Sequence, residues 1–241
     1  MKYASEDAMP SPMIHFYVAQ QINELYPGLV KNLPQFYLGT IAPDAAHFCP
    51  DYKPNNKKIT HFCPGDDNWG ETKNNDEWLE SVLSFLTRYT NTGDYDFALG
   101  YTIHIIADIC NNIYVWTPFR EKHKMDLSVY FKVSYTNPVE IPDTVNIARE
   151  YRENRFAIDY RLAREFKHRK EIFVLLEKAE PITIPGIVYP DEINAIKENI
   201  LYEQYLNMDS DTSLNQLFTY EDALGEIEMM VEFVRKHLVF S

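Results

Sequence analysis

The chain has 241 residues, 45% of them hydrophobic and 14% aromatic, and carries a formal net charge of −13. That length suits one large core or two modest ones, and the apolar content is that of a packed globule rather than a disordered chain. The acidity excludes a protein that coats duplex nucleic acid, which needs a basic footprint, and 8 glycines with few valine-rich runs argue against a large sheet. Cys49, Cys63 and Cys110 show no CxxC spacing and read as reduced thiols, or at most as one Cys49–Cys63 disulfide. No run reaches the ~20 apolar residues of a membrane span, and the polar opening before Met13 lacks the core of a signal peptide. A cytosolic (cytoplasmic) protein without a membrane span is therefore expected, with Met9 as an alternative start.

The spacing of Ile14, Tyr17, Val18, Ile22 and Leu25 predicts a helix over 14–26, ended by Pro27-Gly28. A second short helix is expected over 29–38, broken around Pro34. Residues 40–69 hold four prolines, His47, His61 and little periodicity, and predict a long, ordered loop of the kind that carries function. Trp78, Leu79, Val82, Phe85 and Leu86 predict a helix over 75–89. The segment 95–116 is nearly all apolar, so its helix should be central and buried, with Asp94 as its cap. Residues 117–142 read as irregular, 144–176 as one or two helices rich in Arg and Glu, and 181–190 as a proline-bounded connector. The last amphipathic helices are expected over 191–206, capped by Asp191, and over 220–238. The sum is an all-α, single-domain helical bundle, with a metal-binding core over 9–143 and C-terminal helices over 144–241 packing on it.

Inside the apolar helix, His104 and Asp108 stand four apart and so lie one above the other on the same face. Burying either without a partner is costly, and a shared divalent metal satisfies both; the plainer alternative is a His–Asp hydrogen bond that serves packing. Three other places offer ligands: His15 beside the stripe of the first helix, Asp44 and His47 in Gly39-Thr-Ile-Ala-Pro43-Asp44-Ala-Ala-His47, and His61 in Ile59-Thr60-His61-Phe62. Each alone also reads as an ordinary core histidine, turn residue or polar loop residue. Imidazoles and carboxylates without a thiolate suit Zn²⁺ in a hydrolytic role, with Mn²⁺ or Fe as alternatives.

Taken together, the ordered set His15, Gly39-x-x-x-Pro43-Asp44, Thr60-His61-Phe62 and Gly100-x-x-x-His104-x-x-x-Asp108 resembles the zinc-dependent phospholipase C family, whose fold the single-strand-specific zinc nucleases share. The likeness spans roughly 9–117, and the opening Met9-Pro-Ser-Pro-Met-Ile-His15-Phe is similar to the smaller intracellular members. It implies an all-helical bundle in which Asp44, His61, His104 and Asp108 hold one zinc, and in which Asp108 reaches a second metal that His15 helps to bind. Asp44, on the open side, would position or deprotonate the attacking water. The chain departs from the pattern twice. A leader through Met13 stands where secreted members use their processed N-terminal residue as a ligand. Position 114 is Tyr where a histidine is expected, and no His-x-x-x-Glu occurs. Glu153 or Asp159, with His123 as a weaker candidate, would have to replace those ligands.

The reaction class this implies is phosphodiester hydrolysis by water that a cluster of one to three zinc ions activates. The partner is a phosphodiester substrate, soluble or phospholipid-derived, and not double-stranded nucleic acid. Tyr52, Trp69, Trp116 and Phe119 either line an apolar mouth or belong to the core. Two other readings stay open: a nuclease on the same fold, and a non-catalytic helical interaction protein that binds a partner through its acidic C-terminal helices.

Overall fold

The most apolar stretch of the chain forms the axis on which the other elements are arranged. In the computed structural model, which describes residues 11–67, 69–125, 143–206 and 217–238, the first half runs α1 (Pro12–Leu25), α2 (Leu33–Gly39), a 3-10 turn (Ala42–Phe48), α3 (Pro54–Thr60), α4 (Asn75–Tyr89) and α5 (Tyr95–Asn111). A π turn (Asn112–Trp116) leads into α6 (Thr117–Lys122). The second half holds α7 (Asp143–Glu165), α8 (Arg169–Lys178), α9 (Pro190–Asn199) with a second π turn (Ile200–Gln204), and α10 (Tyr220–His237). Among the described residues there is no strand beyond a single bridge between Ile184 and Val188, so the fold is all-α.

α5 is buried from Asp96 to Asn111, because it is apolar on every face and is covered by α2, α4, α10 and α1. The crossing of α2 over α5 is a backbone-to-backbone contact. A Cβ on Gly39 would lie 2.1 Å from the Phe97 carbonyl oxygen, and one on Gly100 would lie 2.0 Å from that of Phe36. Only glycine allows this approach. The entry to α2 is also tied to α5, since the Asp96 carboxylate accepts the Lys31 N–H at 3.0 Å and the Asn32 N–H at 2.6 Å.

The C-terminal helices pack on this assembly: α10 on α5 and α1, α8 on α2, and α9 on the 3-10 turn. Buried polar ties accompany the apolar contacts. Arg155 of α7 makes a two-pronged pair with Glu226 of α10, both contacts 3.1 Å, and Asn111 at the end of α5 donates to the same carboxylate.

Several expectations for the short elements are corrected. Pro34 does not break a helix but starts α2, and Pro43 and Pro54 likewise stand in the first turns of the 3-10 turn and α3. Proline suits that position because the N–H it lacks has no helical partner there. The 40–69 segment thus contains two short helical pieces, 42–48 and 54–60, joined and followed by turns. Asp94 gives α5 no side-chain cap; its backbone carbonyl accepts the Ala98 N–H at 3.0 Å instead. Tyr189, not Asp191, is the cap residue of α9, and its N–H donates to Glu192 at 3.0 Å. The π turn after α5 falls where the ring of Pro118 would otherwise meet the Tyr114 carbonyl. Of the irregular stretch, 117–122 is helical and 126–142 lies outside the described residues, as does 207–216. No helix among the described residues is long and apolar enough to cross a membrane.

Gly100→Ala should lower stability by about 3 kcal/mol through overpacking at the crossing, a fall in Tm of roughly 6–12 °C in a thermal melt. Gly225→Ala, whose Cβ meets nothing within 4 Å on α10, should leave Tm unchanged or slightly raised.

Candidate metal centre

Four elements present the five candidate ligands. His15 projects from α1, Asp44 from the 3-10 turn, His61 is the C-cap of α3, and His104 and Asp108 share one face of α5. The end of α3 is set by Phe62, which takes φ 55. Cys63 N–H reaches the Lys58 carbonyl at 3.0 Å and Phe62 N–H that of Ile59 at 3.2 Å, the bond pattern of a helix closed by a left-handed residue. That conformation costs a non-glycine residue about 1–2 kcal/mol, and Phe62 offsets it by packing on Phe85 and Tyr101. Trp78 Nε1 donates to the His61 carbonyl at 2.6 Å, and the Tyr101 hydroxyl donates to the Thr60 carbonyl.

The side chains converge. His61 Nε2 lies 3.3 Å from Asp108 Oδ2 and 3.5 Å from Asp44 Oδ1. His104 Nε2 is 3.6 Å from Asp108 Oδ2 and 3.9 Å from Asp44 Oδ2. His15 Nε2 is 3.5 Å from Asp108 Oδ1, and its ring stacks on that of His104 with centroids 3.6 Å apart and planes 9° apart. Asp108 therefore faces His15 with one oxygen and the other two histidines with the other. Among the described residues, two sets have ligand atoms that all lie within 4.8 Å of one another: His15, Asp44 and His104, and His61, His104 and Asp108.

The hydrogen bonds behind the rings fix which nitrogen points inward. His104 Nδ1 lies 2.7 Å from the Thr40 carbonyl and His61 Nδ1 lies 2.9 Å from the Lys57 carbonyl. A carbonyl only accepts, so each Nδ1 carries the proton and each Nε2 turns a lone pair into the cluster. Those Nε2 atoms, both oxygens of Asp108 and both nitrogens of His15 are buried with no hydrogen-bond partner. Buried polar atoms are rarely left so. A cation at their centre satisfies the three Nε2 atoms and the Asp108 oxygens together, and the backbone-held imidazoles of His61 and His104 have the support that metal-binding histidines ordinarily have.

Electrostatics agree with a cation-ready cluster. Burial, then the neighbouring His104, pushes His15 down to about 3, so it stays neutral. Burial works against ionisation of both carboxylates, yet Lys57 and His104 hold Asp44 well below the usual carboxylate range, and His104 and His61 do the same for Asp108. Burial lowers His104, but Asp108 and Asp44 outweigh it and raise the group.

Lys57 is the site residue that the sequence reading passed over. It is buried, and its Nζ lies 2.9 Å from Asp44 Oδ1. It stands four residues before His61 on α3, a spacing that would have placed both on one face had a helix been expected there.

Other candidates fall elsewhere. Glu153 is exposed on α7 and joins neither ligand set, a correction that follows from the face of α7 on which it sits. Asp159 is buried but engaged: it accepts the Met13 N–H at 3.1 Å and the Tyr205 hydroxyl at 2.6 Å, pinning the start of α1. His123 is half-buried against Phe119. His47 lies on the far side of Lys57, against Tyr52. Trp69 and Trp116 are buried, with Trp69 edge-on to His61, and Phe119 packs against the core. Cys49, Cys63 and Cys110 are unpaired.

Compared with known families, residues 14–111 match the model of zinc dependent phospholipase C. This segment, from α1 to the end of α5, is similar to the zinc-dependent phospholipase C family. All five converging residues lie within it. Neither the curated proteins nor the solved structures give a match.

Tyr101→Phe removes the donor to the Thr60 carbonyl without emptying the core. It should cost about 1–2 kcal/mol in urea unfolding and weaken zinc binding roughly tenfold or more by loosening His61, measured by competition with a chelator.

Proposed function

We propose that the chain is a zinc-dependent phosphoric diester hydrolase acting on a phospholipid-type ester, with His15, His61, His104, Asp108 and Asp44 as its metal-binding residues. The observation that carries this reading is the inward set of partnerless atoms, which includes the Nε2 atoms of His61 and His104, rings whose other nitrogens the backbone holds. Zinc, when bound, supplies a Lewis acid that acidifies water from a pKa near 16 towards ~7 and neutralises charge developing on a phosphoryl group.

The protein's own residues do the rest. His61 and His104 bind through Nε2 while their Nδ1 protons stay on backbone carbonyls, so neither ring is free to turn or to exchange protons. Asp108 joins the two sides of the cluster through its separate oxygens. Asp44 has 16% of its side chain exposed, while the side chains of His15, His61, His104 and Asp108 show 1% or less. It is thus the member that meets solvent, and it accepts a hydrogen bond from the attacking water and orients it. The donor set contains no sulfur, which suits a hydrolytic rather than a purely structural ion. A single-domain organisation belongs to the same proposal, supported by the contacts of α8, α9 and α10 with the 14–111 segment. So does a cytosolic setting, which unpaired cysteines suit.

The near-complete burial of the cluster favours one second reading, a helical protein that keeps zinc for structure and turns over nothing. Zinc content together with turnover of bis-p-nitrophenyl phosphate separates the two, and a phosphocholine ester against single-stranded DNA separates lipase from nuclease. His104→Ala and Asp108→Ala should each abolish both bound zinc and turnover. Asp44→Asn should keep most of the zinc and lose activity by about 10²-fold or more. Wild-type zinc content in His104→Ala would contradict the assignment.

A further inference from the structure

A buried ammonium stands against the ligand cluster. Lys57 Nζ is 2.9 Å from Asp44 Oδ1, and the same oxygen is 3.5 Å from His61 Nε2. One carboxylate oxygen is therefore shared between the ammonium and the proposed cage. On its other sides Nζ is 3.5 Å from His47 Nε2 and 4.9 Å from the centre of the Trp69 ring. A lysine at 2% exposure is unusual, because its charge has lost its hydration. Asp44 and the indole face offset part of that cost. Replacing a buried ion pair with apolar residues is often neutral or stabilising, so the presence of this one points to a use for the charge.

The charge balance indicates the use. Metal-binding histidines are neutral, so Asp44 and Asp108 together carry two negative charges, which one divalent ion cancels. The ammonium then leaves one positive charge in excess beside Asp44. Among the described residues the two ligand sets share His104, and its Nδ1 is already committed to Thr40. The sets share its other nitrogen, Nε2, so they do not form two independent three-ligand sites. Charge spreading over the oxygens of a phosphoryl group in transfer calls for more than one fixed cation.

We propose that Lys57 is the anchor for a phosphoryl oxygen of the substrate, an ammonium doing beside Asp44 what a further metal ion would do. Lysine serves this role as a compact point charge with three donors. The anion enters from the exposed side of Asp44 and exchanges one contact of Nζ for a phosphoryl oxygen. The inference rests on the zinc reading of the cage and deepens it.

Calorimetric titration of inorganic phosphate into the zinc-loaded full chain tests it, with zinc per chain measured on the same samples. Wild type should bind phosphate. Lys57→Met should keep wild-type zinc content and lose phosphate affinity at least ~10-fold, the scale of one lost charge-assisted contact. Lys57→Gln, which keeps a hydrogen bond to Asp44, should lose as much, and it gives the comparison independently if the methionine variant does not fold. Lys57→Arg should stay closest to wild type. Equal phosphate affinity in wild type and Lys57→Gln overturns the proposal while leaving the metal reading intact. Loss of zinc together with phosphate in both variants also overturns it, reducing Lys57 to a support for Asp44. A wild-type protein that takes up no zinc fails the metal reading itself, before phosphate is added.

Discussion

The hydrogen bond between His104 Nδ1 and the Thr40 carbonyl, 2.7 Å long, links the fold of this protein to its chemistry. It exists because Gly39 and Gly100 let the backbones of α2 and α5 touch. Thr40, one residue beyond α2, thereby lies over the face of α5 that carries His104 and Asp108. The imidazole that results has one nitrogen fixed and the other free, as a metal ligand requires. A side chain on either glycine would push the helices apart and release the ring. The same logic recurs at His61, where the turn of α3 supplies the Lys57 carbonyl at 2.9 Å.

Around that bond the cluster is balanced by opposing effects. Burial alone would keep the carboxylates protonated and His15 and His104 neutral. The carboxylates instead remain ionised, because Lys57 and His104 lie beside them. His15 has burial and a like-charged neighbour against it and stays neutral, stacked on His104. The site thus holds acceptors in excess of donors at its centre, with the buried Lys57 ammonium and the partly exposed Asp44 beside them. Such an arrangement stores an electrostatic demand that a cation meets and that a purely apolar core would not carry.

How much of this the sequence revealed depended on the length of each element. The 14–26, 75–89 and 220–238 helices are long and periodic, and the observed helices Pro12–Leu25, Asn75–Tyr89 and Tyr220–His237 lie within about two residues of them. The short pieces were misread because Pro34, Pro43 and Pro54 look like breaks when read alone, whereas each stands in a first turn. Reading 40–69 as a loop concealed Lys57, since no face can be assigned to a residue in a loop. His15, Asp44, His61, His104 and Asp108 were legible through the order of their motifs, and they meet in space. Glu153 was chosen by residue type, and periodicity did not say which face of α7 would turn to the site. The Gly39–Gly100 crossing was not foreseen, because nothing local to either glycine indicates the other.

Zinc-edge X-ray absorption on the protein purified without added metal tests the central claim most directly. The account predicts a first shell of nitrogen and oxygen alone at about 2.0–2.2 Å, with imidazole scattering beyond it. A sulfur shell near ~2.3 Å, or a protein that carries no zinc after incubation with it, would contradict the account.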